Sequence, residues 1–163
     1  MVKPGRRIPL ASAAAVLLAV CVAVGIYALT EQPPDATSLQ SGAVNDALVR
    51  LFGGAPFLYD SKTGLWLGIS IRHWAHAVEF WLLGLPVALA AWLAARPRVA
   101  VAGAVSLAVC AACSIFDQCH KLFVPGRHFD FFDLVMDALG YTTAIAMVLL
   151  VAWAVSALRR RHR

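Results

Sequence analysis

The sequence predicts an all-α membrane protein: four membrane-spanning helices in an antiparallel bundle, both termini cytoplasmic, with a short amphipathic helix in the first outer loop. Three observations predict it. Of the 163 residues, 61% are hydrophobic and only 14% are charged, which is more apolar side chain than one soluble domain can bury. The apolar residues fall into four runs of about the 20 residues a helix needs to cross hydrocarbon. The charges are sorted between alternate connections, as they are when a chain crosses a membrane repeatedly. The length suits a single domain, residues 1–163.

The first span is Ile8–Leu29, preceded by Lys3, Arg6 and Arg7. Its apolar run exceeds the roughly 7–15 residues of a signal-peptide core and no A-x-A site follows, so it reads as a retained helix. The first outer loop, 30–72, opens with TEQPPDATSLQSG, whose two prolines keep it from being helical throughout. Val44, Leu48, Leu51 and Phe52 then recur at helical spacing, predicting an amphipathic helix over Val44–Phe52 on the membrane surface. Gly53-Gly54-Ala55-Pro56 ends it, and Tyr59 and Trp66 suit an interfacial aromatic belt. The second span is Trp74–Ala95, followed by the tight Arg96-Pro97-Arg98 turn. The third, Val99–Phe116, is short but covers about 27 Å if little tilted. The second outer loop, 117–130, contains Phe123-Val124-Pro125-Gly126-Arg127, with the Pro-Gly of a type II turn. That turn makes the third span and the fourth, Phe131–Leu158, antiparallel neighbours.

The formal charge of +5 hides a segregation. Nine of the fourteen basic residues lie in the N-terminal segment, at Arg96 and Arg98, or in the tail at Arg159, Arg160, Arg161 and Arg163. All nine carboxylates belong to the other connections or the half-spans that adjoin them. Lys and Arg concentrate in cytoplasmic loops, which places both termini in the cytoplasm and the acidic side outside. The basic tail is expected to meet membrane lipids with anionic headgroups, not nucleic acid. Cys110 and Cys113 match C-x-x-C, but in an apolar helix with no basic neighbour such thiols stay protonated and serve packing.

Residues three, four and seven apart share a helix face. The second span opens with Arg72, His76 and Glu79 at that spacing, and the third ends with Ser114, Asp117, His120 and Lys121. The fourth opens with Asp130, Asp133, Asp137 and Gly140. Seven helical residues carry Glu79 and Asp137 about 10 Å below the start of their stripes, about a third of the hydrocarbon depth. A lone carboxylate facing lipid there costs on the order of 2–3 kcal/mol. The stripes are therefore expected to face one another across one outward-opening polar pocket. Gly103, Ser106, Cys110, Cys113, Gly140 and Ala144 would let the backbones approach below it.

Through these residues the chain resembles the VanZ-like family of bacterial membrane proteins, named for a protein associated with teicoplanin resistance. Ile71-Arg72-His73-Trp74-Ala75-His76-Ala77-Val78-Glu79-Phe80, followed by Leu83-Gly84, is similar to the family's R-K-x-A-H-F-x-E-Y…L-G. Phe116–Arg127 is similar to D-E-x-H-Q-x-F-V-P-G-R, and Asp133, Asp137 and Gly140 fit D-x-x-x-N/D-x-x-G. A fainter echo runs from Gln32-Pro33 through Gln40-Ser41-Gly42-Ala43-Val44. The chain departs from the pattern at His73 for Lys, Phe80 for Tyr, Gln118 for Glu and Lys121 for Gln. The resemblance implies a multi-pass protein of the bacterial cytoplasmic membrane, tied to the envelope and to glycopeptide (teicoplanin) response, without implying a reaction.

Three functional readings follow. In the first, Arg72, Arg127 and Lys121 bind an anionic envelope precursor or lipid, guanidinium forks pairing with phosphate or carboxylate. In the second, the pocket is an outer-leaflet enzyme acting by hydrolysis or transfer on a lipid-linked or phosphate-bearing envelope substrate. There His76 with Glu79, or His120 with Asp117, acts as an oriented acid and base. Asp133 and Asp137 would hold a divalent metal, a pair needing further oxygens to complete a shell. Ser114 is the nearby hydroxyl and has no triad around it. In the third reading the same groups form a structural polar network that fixes helix register without catalysis. Four spans without an inverted repeat argue against a monomeric transporter.

Overall fold

The computed structural model describes residues 10–53, 55, 57–95 and 98–161. Four of its helices are long and apolar enough to cross a membrane: α1 (Leu10–Thr30), α3 (Ile71–Ala95), α4 (Val99–Lys121) and the stretch Phe131–Leu158 of α5 (Phe131–Arg161). Their outer faces carry Leu17, Val24, Val109 and Leu150, all largely exposed in the isolated chain, as lipid-facing surfaces must be. The chain is a multi-pass membrane protein. Residues 8 and 9, the basic N-terminal segment, Arg96-Pro97 and the end of the tail lie outside the described residues.

The connection between α1 and α3 is more structured than the sequence predicts. A helix does run over Val44–Phe52, but it begins ten residues earlier, as α2 (Pro34–Phe52). Pro33 takes the cap position with an extended backbone and Pro34 the first turn, where a missing N–H costs nothing. The prolines therefore start this helix. After it, Tyr59–Asp60 (β1) pairs antiparallel with Leu65–Trp66 (β2) in a small hairpin. The turn of this hairpin is held by Asp60, which accepts from Thr63 Oγ1 at 2.7 Å and from the Lys62 N–H at 3.0 Å. Those two bonds hold the Asp60 carboxyl below its ordinary value. Trp66, expected in an outward aromatic belt, is buried: its indole N–H donates to Asn45 Oδ1 on α2 at 2.9 Å, and its ring packs on Tyr59.

Two ends of the spanning helices also differ. α3 begins three residues before Trp74, and α4 continues past Phe116 to Lys121. Asp117, His120 and Lys121 are thus helical and not part of a loop. The turn that follows is as predicted: Gly126 has φ 79° and the Arg127 N–H donates to the Val124 carbonyl at 3.1 Å.

α3 is the centre of the bundle, packing on α1, α4 and most extensively on α5. α3 and α5 run parallel, since Ala77 lies against Gly140 and Gly84 against Ala144. A Cβ on Gly140 would stand 2.1 Å from the Ala77 carbonyl oxygen, so only glycine permits this approach. Below it Phe80, Leu83, Val87, Cys110 and Ile145 form the apolar core. Cys110 serves packing there, and all four cysteines are free.

Candidate functional site

The C-terminal ends of α1 and α4 and the N-terminal ends of α3 and α5 meet at one end of the bundle, here the polar end. Burial forces its charged groups to find partners within the chain. Lys121, with no exposed surface, is the hub: Nζ donates to Asp133 Oδ2 at 2.8 Å and to His76 Nε2 at 3.2 Å, and lies 3.7 Å from Asp117 Oδ2. An ammonium has only donors, so His76 Nε2 accepts and its Nδ1–H donates to Asp137 Oδ1, at 3.1 Å. The other Asp137 oxygen accepts from Ser114 Oγ at 2.7 Å. Asp117 accepts from Thr30 Oγ1 on α1 and from the Gln118 amide at 3.5 Å, and Gln118 Oε1 accepts from the Asp130 N–H at 3.3 Å. The network ties all four spanning helices together.

Beside it lies a cavity of about 640 Å³ bounded by the end of α1, by α2, by the hairpin and by the first turns of α3. Its wall is mostly apolar, including Val44, Leu48, Leu58, Trp66, Trp74 and Val78. Four ionisable side chains line it: Arg72, His76, Glu79 and Arg127. Arg127 is anchored, donating through Nε to the Gln32 carbonyl (3.0 Å) and through Nη2 to the Leu29 carbonyl (3.1 Å) at the open end of α1. Burial, and then repulsion from Arg72, push the Arg127 guanidinium down from its ordinary value, although an arginine stays charged. Arg72 is exposed, and neither it nor Glu79 has a hydrogen-bond or ion-pair partner among the described residues.

The structure thus separates what the sequence places in one pocket. Arg72, His76, Glu79 and Arg127 reach the cavity, whereas Asp117, Lys121, Asp133 and Asp137 are buried in the network and do not line it. Lys121, expected to bind ligand, is consumed by Asp133 and His76. The carboxylate that orients His76 is Asp137, with Asp133 at 3.3 Å from its other nitrogen, and not Glu79. Asp133 and Asp137, expected as a metal pair, flank opposite sides of the His76 ring. His120 does not pair with Asp117. Its ring lies tilted against Tyr27 and bonds Glu31 at 2.6 Å at the edge of the bundle, and the Tyr27 hydroxyl, with His120, holds the Glu31 carboxyl below its usual value. Sequence reasoning missed Thr30, whose one signal is a hydroxyl at the end of an apolar run. It also missed the contributions of α2 and the hairpin to the cavity wall, which no local pattern announces.

Residues 15–152 match the model of the VanZ/LLP1 family. Neither the curated proteins nor the solved structures yield a match. The family match covers α3 and α4 whole, most of α1 and of the spanning part of α5, and the polar end that joins them, including all three motif blocks. The chain belongs to the VanZ/LLP1 family.

Proposed function

We propose that this protein binds an anionic, lipid-linked component of the bacterial envelope in the cavity between α2, the hairpin and α3. The carrying observation is Arg72, a guanidinium on the cavity wall with no partner among the described residues. Arg127 lies close enough to repel it. Two cations converging on an apolar chamber are stabilised by an anion placed between them. A volume of about 640 Å³ matches the size of ligand-binding cavities, and the apolar wall suits the first part of an acyl or isoprenoid chain. In the sequence, basic residues concentrate before α1, between α3 and α4 and in the tail, a distribution that supports a reading with the polar end outside the cytoplasm and both termini within it. Sequestration of such a component at the outer leaflet is how a glycopeptide-response role, implied by the family name, would arise.

The test is lipid binding by the purified protein in nanodiscs, read by native mass spectrometry with phosphatidylglycerol, an isoprenyl phosphate and phosphatidylcholine. The isoprenyl phosphate is expected to be retained in preference to phosphatidylcholine. Arg72→Gln should weaken it by about ten- to a hundredfold, the loss of one charge-assisted anchor. Equal retention of the zwitterionic lipid, or an unaffected variant, overturns the proposal.

One observation favours a catalytic version of the same site. Glu79, without a partner, faces the cavity one helical turn from His76; the His76 Nε2 lone pair is taken by Lys121, so Glu79 is the group there that is free to act as a base. In that case Glu79→Gln retains the lipid and abolishes its turnover.

A further inference from the structure

On the face of the polar end away from the cavity, three side chains are each half committed. His73 uses Nδ1 on Ser70 Oγ, 2.8 Å away. Asp130 precedes α5 and uses Oδ1 to accept from the Phe132 N–H at 2.8 Å, as a cap does. Asp133 uses Oδ2 on Lys121. The atom each has left over points to the same place: His73 Nε2 is 3.5 Å from Asp130 Oδ2 and 3.7 Å from Asp133 Oδ1. One ligating atom from each residue lies within 4.8 Å of the other two.

An independent observation singles out this spot. Asp133 is 1% exposed, and its Oδ1 has no hydrogen-bond partner among the described residues. A buried carboxylate oxygen left without a donor is costly. His73 does not relieve it: a proton on Nε2 would be shared with Asp130 at the limit of hydrogen-bond distance, and Asp133 Oδ1 lies beyond that limit. With Nδ1–H donating to Ser70, Nε2 turns a lone pair towards two carboxylate oxygens. Three electron-pair donors then converge on one point, which a cation would satisfy and a proton would not.

We infer that His73 Nε2, Asp130 Oδ2 and Asp133 Oδ1 form a site for a first-row divalent cation such as Zn²⁺. One imidazole and two carboxylates favour such an ion over Mg²⁺ or Ca²⁺, which take oxygen ligands almost alone. Ligand atoms about 2.1 Å from a tetrahedral metal stand about 3.4 Å apart, close to the two separations seen here. Asp130 is half-exposed, leaving a position for water or for an anionic ligand. Ser70 holds the imidazole from behind, the outer-shell hydrogen bond that metal-ligating histidines require. Asp133 becomes a bridge, with the metal on one oxygen and Lys121 on the other. This site stands whether or not the cavity binds lipid, because His73, Asp130 and Asp133 do not line it. It also contains His73, one of the positions where the chain departs from its relatives' pattern.

The test uses untagged full-length protein in nanodiscs, stripped with chelator and titrated with Zn²⁺, with Mg²⁺ and Ca²⁺ in parallel. Co²⁺ serves as a spectroscopic stand-in. The wild type should take up Zn²⁺ to one site per chain that a hundredfold excess of Mg²⁺ does not displace, and Co²⁺ should give a visible band of low-coordinate metal. Asp130→Asn keeps the capping oxygen, so it folds, and it should weaken Zn²⁺ by about tenfold or more, as should His73→Gln. His120→Gln, at the separate contact with Glu31, should leave the affinity unchanged. Zn²⁺ affinity that survives both ligand variants, or that Mg²⁺ matches, overturns the assignment, as does the absence of uptake by the wild type.

Discussion

Replacing Lys121 by methionine tests whether the polar end is held by a buried ionic network or merely decorated by charges. Methionine matches the length of the lysine stem and removes only the ammonium and its donors. Asp133, 1% exposed, then loses its 2.8 Å partner, and Asp117 loses a cation 3.7 Å away. Breaking a buried pair by deleting one member costs about 3–5 kcal/mol. His76 offers partial compensation, since a second proton on Nε2 would face Asp133 Oδ2 at 3.3 Å while Nδ1 stays on Asp137. The loss should therefore fall near the lower figure, about 3 kcal/mol. Reversible unfolding in mixed detergent micelles, followed by tryptophan emission, measures it. The double variant Lys121→Met, Asp133→Asn removes the stranded charge and should be more stable than Lys121→Met alone, which independent effects cannot produce. A loss below about 1 kcal/mol, the range of exposed ion pairs, would falsify the network. So would a double variant whose losses simply add. A folded Lys121→Met protein should also bind anionic lipid as the wild type does, because Lys121 does not line the cavity.

Gly140→Ala drives a methyl into the Ala77 carbonyl and should cost about 3 kcal/mol or more, because backbone cannot move aside as side chains do. Gly42→Ala, exposed on α2 with nothing within 4 Å, should gain about 0.5–1 kcal/mol in the same unfolding assay. Arg127→Lys cannot span the Leu29 and Gln32 carbonyls and should lower stability by about 1–2 kcal/mol. Arg72→Lys should leave stability within about 0.5 kcal/mol and weaken only lipid retention. Glu31 has a carboxyl held below its usual value by Tyr27 and His120, so its contribution is present above that usual value and lost as pH falls through the lowered one. The melting-temperature gap between wild type and Glu31→Gln should accordingly close below about pH 4.

The spanning helices and the Pro125-Gly126 turn were legible because each depends on residues close in sequence: an apolar run, a helical period, a Pro-Gly pair. The convergence of the three stripes was legible for a different reason, since carboxylates a third of the way into hydrocarbon have nowhere else to go. Partner choice within that convergence was not. Helical spacing places Glu79 one turn from His76 on the same face, yet α3 and α5 run parallel and approach closely at Gly140. Asp137, from the other helix, therefore reaches the ring first. Likewise, the period that puts His120 on the stripe with Asp117 is too coarse to say that its ring leans outward onto Tyr27. α2 was misplaced at its start because adjacent prolines read as a helix breaker, whereas at the first turn they begin one.

The departures at positions 118 and 121 are best understood together. The family pattern has Glu and Gln where this chain has Gln118 and Lys121, so one carboxylate is gone and one ammonium has arrived within the same turn of α4. Gln118 donates to Asp117 and accepts from the Asp130 N–H, and a carboxylate could do only the second. Lys121 in turn supplies a positive charge amid Asp117, Asp133 and the Asp137-bound His76. The two changes thus leave this chain's network with one carboxylate fewer and one ammonium more than the family pattern gives. Partner accounting then divides the polar end without reference to any motif. Groups whose bonds are complete inside the protein, such as Lys121, Asp137 and Ser114, have no valence left for a ligand and act as scaffold. Arg72, Glu79 and one oxygen of Asp133 lack partners among the described residues; the first two line the cavity, and the third faces His73 beside Asp130. On the two proposals made above, those three mark where the chemistry of this protein is to be sought.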